Sequence, residues 1–222
     1  MYPYILLNKN IDIFPIFGNK LKTIGFALMN DNSKFMEELK DYEIKDQKLF
    51  NNQILKESSS DIIISGYLEK RLRLIGVLGC KQMVEQERYY HLGLDLSIRK
   101  GTSVFAPLPG IIYKVGYEEG DGNYGGYIIL KHNIDGNIFY SFYGHLSYKN
   151  IFVNEGKIIN PGDKLGIIGD FNENGGYFHH LHLQVITKLG KINGFFSKGY
   201  CTKIQCEDIY KYTPDPTFLF NY

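Results

Sequence analysis

The sequence predicts a mainly β fold of antiparallel hairpins, preceded by a smaller part that contains helix. From about Tyr89 onward, short runs of alternating apolar residues are separated by closely spaced glycine-rich turns, a pattern typical of antiparallel strands. Before that point, SKFMEELKDYEIKDQKLFNNQIL (residues 33–55) is charged and rich in helix-forming residues. With 222 residues, the chain is long enough for one domain with a sizeable core and an appended segment.

The N-terminal part has its own start and stop signals. Asn32 and Ser33 are both of the type that caps the start of a helix, and ESSSD at residues 57–61 marks a loop. We therefore divide the chain into an N-terminal segment, residues 1–65, and a β-rich domain with a C-terminal extension, residues 66–222. The apolar members expected on the helical stretch are Phe35, Met36, Leu39, Tyr42, Leu49 and Phe50.

Half of the six histidines fall in FHHLHLQV, which begins at Phe178. Within this stretch, Leu181, Leu183 and Val185 alternate with polar residues, which predicts a strand. A strand places His180 and His182 on one face. A rigid strand is a good platform for a metal or catalytic site. Two imidazoles do not complete a metal site, however, and a pair of hydrogen-bonded histidines would fit the same pattern.

A second motif, HLGLD, contains His91 and Asp95 on either side of Gly93. Four steps along a straight strand span about 13 Å, which is too far for two side chains to share one ion. Glycine has the backbone freedom to bend the chain, so we expect a bend at Gly93. A neutral imidazole, a carboxylate and a third imidazole would then make an open His/His/Asp zinc set with a position left for water.

Three stretches together resemble the signatures of the lysostaphin-type (LytM-like) zinc metallopeptidases: HLGLD, YGHLS with His145, and HLH ending at His182. The similarity covers about residues 88–187. It implies a barrel-like β fold with a duplicated hybrid motif and a zinc-dependent endopeptidase that cuts peptide bonds in bacterial cell walls. By this resemblance, zinc (Zn2+) is bound by His91, Asp95 and His182, and the catalytic residues are His145 and His180.

The resemblance also bears on the N-terminal segment. In some lysostaphin-type enzymes a preceding segment covers the cleft, so we hypothesise that residues 1–60 pack over or beside the groove and restrict access to it. Gly66, Tyr67, Glu69 and Arg71 are similar to a Gly-Tyr-x-Glu-x-Arg stretch of cytoplasmic-looking relatives.

Four other features receive structural interpretations. We expect His132 to be a hydrogen-bonding histidine rather than a ligand, and His179 to be a surface group or a neighbour of the site. Tyr143 lies two residues before His145, and on a regular strand it would share its face and could reach a substrate oxygen. GDGNYG, residues 120–125, fits a dinucleotide fingerprint, but a strand follows it, so a hairpin loop is the better interpretation.

The composition argues against nucleic acid as a partner and against a membrane-spanning segment. A net charge of +1 predicts no broad basic face for nucleic acid, and no apolar run approaches the ~20 residues of a membrane span. The start, MYPYILLNKN, has a short apolar run with no basic region before it, unlike the core of a signal peptide. We therefore expect a cytoplasmic location, with export by a non-standard route as the alternative. The sequence does not indicate an oligomeric state.

The expected function is hydrolysis of amide bonds in peptidoglycan stem or cross-bridge peptides. One alternative is a cytoplasmic zinc amide hydrolase that acts on a small peptide or metabolite. The other is a non-catalytic LytM-like module for binding or regulation. Retention of all five site residues that match the family favours catalysis.

Overall fold

One large sheet organises the protein in this computed structural model, which describes residues 11–18, 21–120 and 122–220. The apolar run at residues 1–10, considered above as a signal-peptide core, lies outside the described residues. The strands of the described part are β1 (Ile24–Phe26), β2 (Ile62–Ser65), β3 (Tyr90–His91), β4 (Leu94–Ser97), β5 (Ser103–Phe105), β6 (Gly110–Glu118), β7 (Gly125–Ile134), β8 (Asn137–Leu146), β9 (Ile158–Ile159), β10 (Lys164–Ile167), β11 (His180–Thr187) and β12 (Tyr200–Cys201).

The helices are short and lie mostly outside the central strands. They are α1 (Lys34–Glu38), α2 (Asp41–Lys45), α3 (Gln47–Glu57), α4 (Leu72–Leu78), α5 (Lys81–Glu85), α6 (Lys188–Ile192) and α7 (Lys203–Cys206), with 3-10 turns at Tyr148–Asn150, Phe195–Ser197, Ile209–Lys211 and Pro216–Leu219. No helix in the described ranges is long and apolar enough to cross a bilayer.

The eight-stranded sheet has the order β1-β2-β4-β11-β8-β7-β6-β9. Its pairs are antiparallel except for β1 with β2, and two small sheets pair β10 with β5 and β12 with β3. The prediction of a mainly β, antiparallel fold is confirmed. The GDGNYG stretch joins β6 to β7 as a hairpin, as expected, with Glu118 opposite Gly125.

The alternation of β11 separates the core from the site. Leu181, Leu183 and Val185 are fully buried in the main apolar cluster. The intervening His180 and His182 face away from that cluster, and the three neighbouring strands β4, β11 and β8 hold them in register. A firmly paired central strand therefore carries two of the predicted site residues.

The N-terminal segment is helical, as predicted, but it forms three short helices rather than one. Ser33 caps α1, because its hydroxyl accepts a hydrogen bond from the amide of Met36 at 3.2 Å. Asp46 ends α2 and caps α3 through its carboxylate, so the chain turns between the two. Strand β2 pairs with β4, and β1 forms the edge of the large sheet beside β2. The division at residue 65 stays a prediction.

Candidate metal centre and active site

The chain bends between His91 and Asp95. β3 ends at His91 and pairs with β12, whereas β4 begins at Leu94 and pairs with β11. Gly93 lies in the bend, and a Cβ added there would stand 2.6 Å from Cε1 of the His182 ring. The expected bend is confirmed, and glycine is needed because the imidazole of His182 packs directly against its backbone.

This bend brings three donor atoms together. Nε2 of His91 lies 3.0 Å from Nδ1 of His182, and Oδ1 of Asp95 lies 3.2 Å and 3.1 Å from these two nitrogens. All three side chains are buried. They form a group of potential metal ligands in the described part of the chain.

The spacing of the three atoms suits a small tetrahedral ion. Bonds of about 2.0–2.1 Å to zinc separate neighbouring ligand atoms by about 3.3 Å, close to the separations seen here. Nitrogen and carboxylate oxygen are also the donors that zinc accepts in sites that keep a position open. The residues present therefore fit the ion that the sequence predicts.

Hydrogen bonds on the far side of each imidazole fix its tautomer. Nδ1 of His91 donates to the carbonyl of Gly66 at 3.1 Å, and Nε2 of His182 donates to Oε1 of Gln184 at 3.0 Å. The amide nitrogen of Gln184 donates to the carbonyl of Lys198, which orients its oxygen toward His182. The two nitrogens that face each other are therefore both unprotonated acceptors, and a cation between them resolves the conflict.

The carboxylate of Asp95 is held by a buried arginine. Its Oδ2 accepts a hydrogen bond from Nη1 of Arg71 at 2.5 Å, while Nε and Nη2 of Arg71 donate to Oε2 of Glu69 at 3.0 and 2.8 Å. Burial alone would raise the pKa of Asp95, but its interactions with the imidazole of His91 and the charged guanidinium of Arg71 outweigh burial and hold that pKa well below its usual range. Asp95 is thus an oriented anion with Oδ1 directed at the imidazoles.

His145 and His180 stand beside this group, with ring centroids 4.2 Å apart. Each donates from Nδ1 to a main-chain carbonyl, His145 to Asn174 at 2.6 Å and His180 to Phe178 at 2.8 Å. Nε2 of His180 lies 3.5 Å from Oδ1 of Asp95. Burial lowers the pKa of His180 to about 4 and that of His145 well below its usual value, so both rings are neutral with Nε2 free to accept a proton.

The backbone of His145 has a φ of 62°, in the left-handed region that costs energy for a residue with a Cβ. His145 lies near the end of β8, and its carbonyl accepts a hydrogen bond from the amide of Gly169. The unusual φ reverses the direction in which the side chain would leave a regular strand. It turns the imidazole of His145 toward His180.

The same reversal makes the prediction for Tyr143 wrong. Tyr143 pairs with Leu183 and so shares the core face of the sheet, where it is completely buried. Its hydroxyl accepts a hydrogen bond from Ser141 at 3.0 Å instead of lining the site. On a regular strand it would have shared a face with His145, but the left-handed backbone separates the two.

The remaining two histidines lie outside the metal-binding group. His132 is fully buried, with Nδ1 2.7 Å from the carbonyl of Pro109 and Nε2 2.7 Å from the hydroxyl of Ser141. This is the structural role that the sequence predicts. His179 pairs with Asp170 at 3.0 Å, away from the three donor atoms.

The N-terminal segment supports the strand that carries His180. On α3, the side-chain oxygens of Gln47 and Asn51 accept hydrogen bonds from the amides of Phe178 and His179 at 2.8 and 3.0 Å. The ring of Phe178 in turn stacks on that of His180 with centroids 4.1 Å apart. These helices lie beside the site. Their restriction of substrate access stays a prediction.

One pocket contains all five predicted site residues. Its further walls come from residues that the sequence did not single out as site residues: Leu74, Gln82, Met83 and Arg88 on one side, and Tyr124, Tyr177 and Tyr200 on the other. The abundance of tyrosine in the sequence was the only signal for the aromatic wall. Burial raises the pKa of Tyr200 to about 12, so its phenol stays protonated.

The sequence of the β-rich part can be assigned to a family. The model of peptidase family M23 matches residues 89–194, a range that holds the bend, the three donor atoms and both neighbouring imidazoles. Residues 89–194 form a lysostaphin-type domain of peptidase family M23. The resemblance seen in the sequence is therefore confirmed, and the domain is one of a family of metallopeptidases.

Individual relatives match over part of their length. An uncharacterised metalloprotease of Haemophilus influenzae is 33% identical over 94 residues, which are 42% of this chain and 18% of that protein. The catalytic domain of the antimicrobial peptidase lysostaphin from Staphylococcus simulans is 27% identical, with coverage of 53% and 79% and a TM-score of 0.40. A zinc-containing peptidase from Vibrio cholerae is 24% identical, with coverage of 45% and 28% and a TM-score of 0.37.

Proposed function

We propose that the protein is a zinc-dependent endopeptidase that hydrolyses amide bonds in peptidoglycan stem or cross-bridge peptides. The observation that carries the proposal is the convergence of three potential ligand atoms beside two further imidazoles in one pocket. The M23 family assignment supports peptide-bond hydrolysis. The sequence motifs resemble those of lysostaphin-type enzymes that cut peptide bonds in bacterial cell walls, and this resemblance supports a cell-wall substrate.

In this proposal, zinc is held by Nε2 of His91, Oδ1 of Asp95 and Nδ1 of His182. A zinc ion bound there supplies Lewis acidity, which lowers the pKa of a bound water and polarises a carbonyl group. Gly66, Gln184 and Arg71 keep the three donors oriented through the hydrogen bonds described above. Such partners on the far side of the ligands normally raise metal affinity.

His145 and His180 would handle the protons. Because Nδ1 of each ring donates to a carbonyl, Nε2 is the basic atom, and the lowered pKa values keep it unprotonated at neutral pH. One ring can take a proton from water, and the imidazolium so formed can stabilise a developing oxyanion or protonate the leaving amine. With the rings 4.2 Å apart, charge on one disfavours charge on the other, so the pair takes up one additional proton at a time.

Digestion of purified peptidoglycan by the zinc-loaded chain tests the proposal. We expect new free amino groups and shortened stem or bridge peptides, identified by labelling and mass spectrometry, and we expect neither with His182→Ala. A zinc-loaded protein that leaves peptidoglycan intact but cleaves soluble small peptides would instead indicate a small-amide hydrolase. A protein that binds peptidoglycan and cleaves no peptide would be a non-catalytic module.

A further inference from the structure

A second arginine lines the pocket, and its side chain has no hydrogen-bond or ion-pair partner among the residues that the structure describes. Arg88 follows α5, and its backbone amide donates to the carbonyl of Met83 at 2.9 Å, which fixes the turn into β3. Its side chain borders the same pocket as His91, Asp95 and His182. Only 8% of Arg88 is exposed, and its Nε is buried.

The guanidinium of Arg88 has unused donors. Its Nε is buried and makes no hydrogen bond, and no carboxylate within the described ranges forms an ion pair with it. Glu118 borders the same pocket but is not paired with Arg88. The neighbouring phenol of Tyr124 stays neutral, because burial raises its pKa well above the usual value.

Arg71 is a buried arginine whose charge is compensated by partners within the protein, and it provides a comparison for Arg88. It is 1% exposed, and its guanidinium is fully engaged by Glu69, Asp95 and the hydroxyl of Tyr200. Two arginines therefore border one pocket, and only Arg71 has its charge compensated. A guanidinium remains charged at physiological pH, and burial of an unpaired charge destabilises the fold. No carboxylate among the described residues compensates the charge at Arg88, so this position suits an anion from outside the chain.

We propose that Arg88 binds a carboxylate of the substrate, so that this site selects peptides with a free carboxylate close to the scissile amide. The inference rests on the proposed peptidase function and gives its substrate a chemical class. A guanidinium presents parallel N–H groups that match the two oxygens of a carboxylate. The carboxylate is either an acidic side chain or the C-terminal group of the peptide, and the two share the same chemistry.

Matched peptides test this selection. Short glycine- and alanine-based peptides of one sequence carry either Glu or Gln at one position, and end in either a carboxylate or a carboxamide. With the zinc-loaded chain, we expect kcat/KM to be about 10- to 100-fold higher for one carboxylate form than for its amide. The Glu/Gln pair reports a side-chain carboxylate, and the terminal pair reports the C-terminal group.

Arg88→Met should abolish that preference by slowing cleavage of the carboxylate peptide and leaving the amide peptide unchanged. Arg88→Lys should keep part of the preference, because it keeps the charge without the fork. Arg99→Met, which removes an exposed arginine, is the matched control and should change neither rate. Because Arg88→Met removes an unpaired buried charge, its melting temperature should be equal to that of the wild type or higher.

Peptide binding to the metal-depleted chain tests the role of Arg88 independently of the proposed peptidase function. Anisotropy measurements on the metal-depleted full chain, which cleaves nothing, should show the same carboxylate preference and its loss in Arg88→Met. Absence of cleavage by the zinc-loaded wild type would count against the peptidase function alone. Equal binding of carboxylate and amide peptides, or an equal loss of both in Arg88→Met, would overturn the role of Arg88.

Discussion

Two buried histidines at opposite ends of the sheet strands differ in one respect. His132 on β7 and His180 on β11 are both buried, and burial lowers the pKa of each to about 4. Both nitrogens of His132 are bonded within the protein, to Pro109 and Ser141. His180 uses only Nδ1 for such a bond and directs Nε2 at Asp95. Burial and a low pKa therefore do not distinguish the two roles, whereas the second ring nitrogen does.

The largest expected effect is loss of the metal. We expect about one zinc per chain after mild dialysis, and His182→Ala should lose both the metal and all activity, because it leaves two protein ligands. His132→Gln is the control and should keep zinc. Elemental analysis measures both. Less than a tenth of an equivalent in the wild type, with no recovery on adding zinc, would contradict the site.

Removing a proton-handling ring should give the next largest effect. His180→Ala and His145→Ala should keep near-stoichiometric zinc while kcat falls by about 10²- to 10⁴-fold, the usual cost of losing a general acid or base. Metal content and rate, measured together, then distinguish a metal ligand such as His182 from the proton-handling His145 and His180. If His180→Ala lost zinc as readily as His182→Ala, or if a double variant hydrolysed substrate at the wild-type rate, these roles would be wrong.

A smaller effect is expected when a residue behind the ligands is changed. Arg71→Gln should weaken zinc binding by roughly 10- to 100-fold, because Asp95 loses the group that orients its second oxygen. It also leaves Glu69 buried without its partner, so the free energy of unfolding should fall by about 3–5 kcal/mol. Competition with a chromogenic chelator measures the affinity, and urea unfolding measures the stability. Unchanged zinc affinity in a folded Arg71→Gln protein would make Arg71 purely structural.

At His132 we expect no change in activity and a change only in the pH dependence of stability. The folded state resists protonation of this ring down to a pKa of about 4, against 6.5 for an exposed histidine. The unfolded state therefore binds more protons between these values, and stability is lost as pH falls through that window. The loss attributable to His132 is about 3 kcal/mol, from about 1.4 kcal/mol per pKa unit.

His132→Gln should remove that part of the pH dependence while leaving kcat and zinc content unchanged. Urea unfolding at pH 7.5 and at pH 4.5 gives the difference for each protein. The other buried histidines titrate in both proteins, so their contribution cancels in the comparison. A variant that loses stability between the two pH values as steeply as the wild type would show that His132 is not the group responsible.

The convergence of His91, Asp95 and His182 could be predicted because the patterns that contain them are local, whereas His145 and the roles of the five residues were implied only by the resemblance to the family. His91, Gly93 and Asp95 stand within five positions, and the need for a bend at glycine follows from strand geometry alone. The alternation of β11 likewise places His180 and His182 on one face. The helical N-terminal segment was predicted too, but not its division, which depends on the cap at Asp46.

The parts that were missed depend on contacts between distant positions or on a single backbone angle. Arg71 was noted only as part of a Gly-Tyr-x-Glu-x-Arg stretch, and no spacing in the sequence links it to Asp95, 24 residues away. Arg88 was missed because its lack of a hydrogen-bond partner among the described residues is visible only in the folded chain. Tyr143 was misplaced because the alternation rule assumes a regular strand, and the sequence does not show the left-handed φ of His145. Gln184 lies on the same strand face as His182, so its role could have been inferred.

At His145 the proposed catalytic role requires histidine, whereas the left-handed backbone favours a different residue. Glycine adopts a φ of 62° freely and asparagine adopts it more readily than histidine, so either would fit this corner with less strain. A copy of the domain released from selection for hydrolysis would gain stability by exchanging histidine for one of them. We therefore expect glycine or asparagine at this position in copies of the domain that have lost hydrolysis, and histidine in copies that retain it.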